Sequence, residues 1–393
     1  MRIAQAAEHH LQEVIIPFWL QLRDDAYGGF YGLVDAQLNI HSKAEKGCIL
    51  HSRILWFFSE AAMAFKRRDL QEAATHAYRF LADYCIDRTY GGIYWSMTYD
   101  GKPLDTTKHT YNQAFAIYAL SSYYKLTKDA EALNLAQALF GLIEQHCTDD
   151  VGYLESFTRD WMPEDNDKLS ENGVMAEKTM NTLLHVFEGY SGLYQASPTA
   201  QVRRSMERIL SIYKEKIYDR SLKRQKVFFD KSYRSLLDLY SFGHDIESSW
   251  LMECGCALLN DPALYEEISA IGREMAQAVF ENAYSYCSIS NECDRGVMDE
   301  QRVWWVQAEA VLGFANLWEK LPQQEKFRQA TADIFLFIME YMVDHRQGSE
   351  WFWAVSPQGQ PIPDKPIVEP WKCPYHNGRM CLELMRRDYD IYV

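Results

Sequence analysis

Two kinds of apolar segment alternate along this chain of 393 residues, and that alternation limits the folds open to it. The first kind is amphipathic. In 199–218 the apolar residues Val202, Met206, Ile209, Leu210, Tyr213 and Ile217 fall three or four apart and make one stripe. Segment 130–147 repeats this through Leu133, Ala136, Leu139, Phe140 and Ile143. The second kind is apolar nearly all round: 111–126 reads YNQAFAIYALSSYYKL and 303–318 reads VWWVQAEAVLGFANLW. A helix apolar on every face must be covered on every face. The pattern therefore predicts an outer ring of stripe helices around an inner ring of buried ones. The outer set spans 4–23, 69–87, 129–147, 199–218, 262–282 and 323–345. The inner set spans 44–66, 107–126, 177–195, 240–259, 303–320 and 375–387. Helix pairs recurring about every 60 residues imply a closed toroid, an all-α (α/α)6 barrel of twelve helices made by one domain over 1–393.

The connections separate into two classes. Short ones, such as Arg67-Arg68-Asp69 and Asn260-Asp261-Pro262, lead from an inner helix to the next outer one. Long ones lead the other way, and two of them resemble each other: AYGGFYGLVDA at 26–36 and TYGGIYWSMTYDGKP at 89–103. Alternating β-type residues beside Gly-rich turns read as short β-hairpins lining a pocket mouth. All the long loops fall at the N-terminal ends of the inner helices. Those ends are expected to turn N–H groups and positive dipole toward the cavity.

Each inner helix also opens with polar or aromatic residues where a core helix should be plain apolar. The motifs are HSR (51–53), TYNQ (110–113), KTMNTLLH (178–185), GHDIESSW (243–250), WWVQAE (304–309) and PYHNGR (374–379). Six such starts converging on one spot would build a pocket of histidines, an arginine, carboxylates and tryptophans.

Composition narrows the partners. A net charge of −15 argues against nucleic acid or an anionic membrane surface. The 14% aromatic content suits sugar rings, whose axial C–H groups pack on π faces. Nine scattered cysteines without a CxxC pair indicate neither a disulfide framework nor a zinc site, and reduced thiols fit a cytoplasmic protein. The N-terminus lacks the apolar run of a signal sequence, and no segment is long enough to span a bilayer.

Four histidines stand out on the inner helices: His51, His185, His244 and His376. His244 and His376 both lie in the first turn after a long loop. Glu247 and Trp250 share a helix face with His244, so Glu247 is expected to orient that imidazole. Arg53 sits in the apolar run CILHSRILWFF and must meet a carboxylate, a carbonyl or a ligand oxygen. Trp305 and Glu309 are four apart and face one way, and Trp371 is placed in a loop to stack on a ring. No metal or phosphate-loop motif accompanies them. The combination suggests proton transfer on a sugar.

At these motifs the sequence resembles the N-acylglucosamine 2-epimerase superfamily. The likeness runs in order from FWLQLRDDAYGGFYG through KGCILHSRILWFF, KHTYNQAFAIYALSSYY, LSENGVMAEKTMNTLLH, YSFGHDIESSWL and RVWWVQAEAVLGF to PWKCPYHNGRM. The resemblance implies an (α/α)6 barrel and an isomerase that works without a cofactor or metal. By position it makes His244 and His376 the acid/base pair. It matches Arg53, Tyr111, Asn181, His185, Glu247, Trp250, Trp305, Glu309 and Trp371 to residues lining the family's sugar site. The implied partner is a small disaccharide, inverted at C2 of its reducing-end glucose, and a monomer is expected. The alternatives are a monosaccharide epimerase or aldose–ketose isomerase of the same fold, an inverting glycoside hydrolase, which needs two carboxylates across the bond, and a sugar-binding protein without activity.

Overall fold

The computed structural model describes residues 1–170 and 172–393. Its described residues form twelve helices in six pairs. The outer helices are α1 (3–21), α3 (68–85), α5 (Ala130–His146), α7 (200–217), α9 (Pro262–Ala283) and α11 (325–342). The inner ones are α2 (Cys48–Phe65), α4 (Thr110–Thr127), α6 (Met180–Ala196), α8 (Phe242–Ala257), α10 (Trp304–Lys320) and α12 (His376–Arg387). Neighbouring inner helices pack in order from α2 to α12, and α12 packs back on α2. The ring is closed, an (α/α)6 barrel. α2 is buried along nearly its whole length from Cys48 to Ala62, whereas α7 buries only its stripe through Val202, Met206, Ile209 and Leu210. No helix among the described residues is long and apolar enough to cross a membrane.

Periodicity places the start of the inner helices one to four residues early. Just ahead of five of them the chain forms short strands, each paired antiparallel with the loop of the following unit. Lys46–Gly47 pairs with Ser96–Met97, Lys108–His109 with Ser156–Phe157, and Lys178–Thr179 with Phe228–Phe229. Leu239–Ser241 pairs with Glu292–Asp294, and Arg302–Val303 with Ala354–Val355. A bridge between Val34 and Val368 closes the circle from the last loop to the first. The loops thus form a second ring of backbone hydrogen bonds above the helical one.

This ring modifies one expectation at four of the six inner helices. The first N–H of α2 donates to Trp95 O (2.9 Å), that of α4 to Glu155 O (2.8 Å), that of α6 to Val227 O (3.0 Å) and that of α10 to Trp353 O (3.1 Å). These N–H groups are engaged by the loops rather than turned to the cavity.

Four ion pairs, three of them fully buried, repeat beneath the mouth. A lysine just ahead of an inner helix reaches an acid in the preceding long loop: Lys46 to Asp24 (2.6 Å), Lys108 to Asp87 (3.2 Å), Lys178 to Asp149 (2.6 Å) and Lys372 to Glu350 (2.7 Å). Asp24 also caps the turn that follows it, accepting from Ala26 N and Tyr27 N. That turn carries Gly28 and Gly29 at φ +79° and +68°. A Cβ on Gly29 would lie 2.6 Å from His51 Nε2, so only glycine lets the loop settle on α2.

Candidate active site

The inner helices present one side chain after another to a cavity of about 230 Å³ at the loop end of the barrel. Arg53 of α2, Tyr111 of α4, Asn181 and His185 of α6, and His244 and Glu247 of α8 line it. Trp305 of α10, His376 of α12 and the loop residue Trp371 complete the wall. Nine residues singled out in the sequence therefore share one cavity. Trp250 and Glu309 do not reach its wall. They lie one layer deeper, where Trp250 Nε1 donates to Glu309 Oε2 at 3.1 Å. One helical turn beyond the pocket-lining Glu247 and Trp305, an inner-helix residue points into the barrel floor rather than the cavity.

His244 and His376 both touch the ring of Trp305, with ring centroids 4.7 and 5.4 Å away. The Nδ1 atom of each is tied from behind. His376 Nδ1 lies 2.7 Å from Glu309 Oε1 and His244 Nδ1 lies 2.7 Å from Ser241 Oγ. This corrects the expected pairing of Glu247 with His244. Glu247 instead accepts from Arg379 Nη2 at 2.5 Å and lies 3.9 Å from His376 Nδ1. With Nδ1 engaged, Nε2 is the nitrogen each ring has available for a ligand. Burial, helped by the nearby His185, holds His244 down at about 3. Burial, with Arg379 and Arg53 close by, holds His376 well below its ordinary value. Both rings are therefore neutral near pH 7, the form that can accept a proton.

Beneath the pocket lies a layer of charge. Arg379 donates through Nη1 to Glu188 (2.8 Å) and through Nη2 to both Glu247 and Glu309 (2.5 Å each). Glu188 also accepts from Tyr375 OH (2.5 Å) and pairs with His185 Nδ1 (2.8 Å). Burial, reinforced by Glu309, pushes Glu247 up to about 7. Burial also raises Glu309, although its partners Arg379, Trp250 and His376 can all donate to it. Donors on every side suit an ionised carboxylate. Glu247, Glu309 and His376 bring three possible metal-ligating atoms within 4.8 Å of one another. The Arg379 guanidinium already bridges both carboxylates, so a metal ion would have to displace it.

Arg53 finds no carboxylate among the described residues. It donates to Tyr111 OH (2.8 Å) and to Trp371 O (3.2 Å), and its guanidinium lies over the Phe115 ring at 4.3 Å. Its positive charge remains available to an anionic ligand oxygen. The other inner-helix histidine, His51, lies outside the cavity. It accepts from Phe30 N at 2.9 Å through Nε2, and its Nδ1 lies 2.8 Å from Gly47 O. Gln113 and Gln307 hold the backbone of Ile93 and Ile289 from the same position of α4 and α10.

Sequence reading missed Glu188, Arg379, Tyr375 and Ser241. Glu188 was detectable, since it lies three residues after His185 on a buried helix. Arg379 and Tyr375 lay inside the PYHNGR motif. Ser241 gave no signal, because its role depends on the strand that precedes α8.

A site of this kind can move a proton at a carbon held near Trp305 and can meet the resulting oxyanion with Arg53. Comparison with known proteins gives it a family. Residues 28–378 match the profile of N-acylglucosamine 2-epimerase (GlcNAc 2-epimerase). The cellobiose 2-epimerase of Eubacterium cellulosolvens is 48% identical over 397 residues, covering 97% of this chain and 98% of that protein. The crystal structure of a sugar epimerase from a ruminal bacterium superposes with a TM-score of 0.97 at 45% identity, covering 99% of this chain and 100% of the other. The structure of cellobiose 2-epimerase from Bacillus thermoamylovorans B4167 gives a TM-score of 0.94 at 41% identity, covering 98% and 99%. By sequence along nearly its whole length and by architecture, this chain belongs to the N-acylglucosamine 2-epimerase family.

Proposed function

We propose that the protein is a cellobiose 2-epimerase. It inverts C2 of the reducing-end glucose of cellobiose and related β-1,4-disaccharides, giving 4-O-β-glucosyl-mannose from cellobiose. The observation that carries this reading is the pair of imidazoles, His244 and His376, in contact with one tryptophan ring in one cavity. The names of the full-length relatives supply the substrate class.

The C2 hydrogen of a closed sugar ring is not acidic. Ring opening exposes the aldehyde, whose carbonyl accepts the electrons left at C2. One imidazole removes the C2 proton, an enediolate forms, and the other imidazole returns a proton to the opposite face. Which of the two removes the proton depends on the direction of reaction. Arg53 and His185 hold the O1/O2 region, where negative charge grows. Glu309 fixes the tautomer of His376, and Ser241, whose hydroxyl can accept from Nδ1, holds the His244 ring in place. Trp305 and Trp371 orient the sugar by stacking. No redox step is needed, and no cofactor enters. Leu169, Asn291 and Trp353 from the long loops also line the cavity, which offers a second sugar ring a wall beyond the inner-helix residues.

Incubation with cellobiose in heavy water, followed by proton NMR, tests the reading. The expected product is the mannose epimer with deuterium at C2. Epimer without deuterium would exclude exchangeable two-base transfer, and free glucose would restore the hydrolase alternative. Parallel assays with mannose and N-acetylglucosamine separate the disaccharide enzyme from its monosaccharide-acting relatives.

A further inference from the structure

A second cavity, of about 240 Å³, occupies the opposite end of the barrel. Its floor is the other side of the charged layer: Glu188, Trp250 and Arg379 line it. Helical spacing explains this. Residues facing the barrel axis recur three or four positions apart, so α6 presents His185 to the front cavity and Glu188, then Ser191, to the back one. The two cavities share no lining residue, and two side-chain hydrogen bonds join them: Arg379 Nη2 donates to Glu247 Oε1 at 2.5 Å, and His185 Nδ1 meets Glu188 Oε2 at 2.8 Å, the pair in which both ends can exchange a proton. The back cavity has room for several water molecules and polar groups to hold them.

The two-base reading poses a requirement that the front cavity meets poorly. A bound disaccharide plugs the mouth, while ring opening must take a proton from the sugar O1 hydroxyl and place one on the ring oxygen O5. We infer that Glu188 is a proton-relay residue linking His185 to water in the back cavity, so that His185 exchanges protons with solvent while the front is filled. As His185 Nε2 takes the hydroxyl proton, Nδ1 gives its own to Glu188 Oε2, and the carboxyl exchanges it with water. The C1–O5 bond breaks as the C1 carbonyl forms, Nε2 hands its proton to O5, and Glu188 returns one to Nδ1. The same transfers run backwards at ring closure. Only bonds to hydrogen form and break in the relay, and nothing is oxidised or reduced. The inference rests on the epimerase reading above.

Cys254 offers a handle, because it is an exposed free cysteine that lines the back cavity, far from the sugar. The experiment compares wild type, Cys254→Ala and Glu188→Gln before and after treatment with methyl and benzyl methanethiosulfonate. In wild type the benzyl adduct is expected to lower kcat several-fold and the methyl adduct less, with KM little changed. Cys254→Ala keeps the exposed Cys287 and the half-buried Cys293, and its kcat should be no lower after the benzyl reagent than after the methyl one. Glu188→Gln should lose about a hundredfold in kcat, the scale of a lost acid-base group, and gain no further loss from the benzyl adduct. A kcat in wild type indifferent to adduct size would overturn the relay, as would an equal benzyl effect in Glu188→Gln. If Glu188→Gln does not fold, the size series in wild type against Cys254→Ala still decides. Wild-type protein that forms no epimer at all would instead remove the epimerase reading itself.

Discussion

His376 and Glu309 are joined by a 2.7 Å contact between Nδ1 and Oε1, one layer below the cavity wall. Glu309 is fully buried, and Arg379 Nη2 and Trp250 Nε1 are its other partners. The carboxylate therefore fixes the histidine tautomer without touching the sugar. Glu309→Gln keeps the shape but puts an amide N–H₂ opposite existing donors. Steady-state assays of the variant should show kcat reduced about a hundredfold with KM nearly unchanged. A variant with wild-type kcat would detach Glu309 from the chemistry.

The distinction between His51 and the catalytic pair is testable in the same way. His51 does in α2 what Gln113 and Gln307 do in α4 and α10, so His51→Gln should keep turnover, whereas His244→Asn and His376→Asn should abolish it. A pH effect accompanies the substitution. Burial holds folded His51 at about 3, against 6.5 for an ordinary histidine. Above pH 6.5 neither folded nor unfolded His51 binds a proton. Below it the unfolded chain gains one that the folded chain refuses, so stability falls as pH drops from 6.5 toward 3. Relative to wild type, His51→Gln should gain about 1.4 kcal/mol per pH unit across that window. Urea unfolding at pH 7.5, 6 and 5 measures the difference, in which the shifts of all other groups cancel. A constant difference across the three pH values would contradict the assignment.

These cases also mark what the sequence could and could not disclose. The barrel was legible because buried and striped helices differ in periodicity, and that difference survives without any knowledge of contacts. The cavity was legible because polar residues such as Arg53 and His376 are costly in an inner helix unless they have a use. The partner of each was not. Glu247 lies three residues from His244 and faces the same way, yet it bonds to Arg379, 132 residues distant in sequence, while His244 bonds to Ser241. Local spacing fixes a direction along the helix and leaves the partner across the ring undetermined. The displaced helix starts have the same origin, because the strands before them exist only through pairing with the next loop.

The repeated lysine–acid pairs make a stability prediction. Lys46 and Asp24 are each 1% exposed in their side chains and lie 2.6 Å apart. Removing one partner leaves a buried unpaired charge, so Lys46→Met should cost about 3–5 kcal/mol. Replacing both, as Lys46→Met with Asp24→Leu, should recover part of that loss, although the turn capped by Asp24 is then unsupported. Chemical denaturation of the two single variants and the double variant gives the coupling. Additive losses would mean that the pair does not act as a unit.

Arg53 supplies the remaining prediction. Its guanidinium donates to Tyr111 OH and Trp371 O, and no carboxylate among the described residues neutralises it. Lysine carries the same charge but only one nitrogen, so it cannot hold both oxygens and still face an enediolate. If Arg53 chiefly binds the ground-state sugar, Arg53→Lys should raise KM and spare kcat. If it meets charge that appears only as the C2 proton leaves, kcat should fall with kcat/KM, by roughly a hundredfold. The second outcome is expected, because the neutral hydroxyls of the bound disaccharide give an arginine little that a lysine could not also provide. Tyr111→Phe should reproduce a smaller part of the same loss, since it frees Arg53 Nη2 without removing the charge. A rise in KM alone for Arg53→Lys would reassign the arginine to substrate binding and leave the oxyanion to His185.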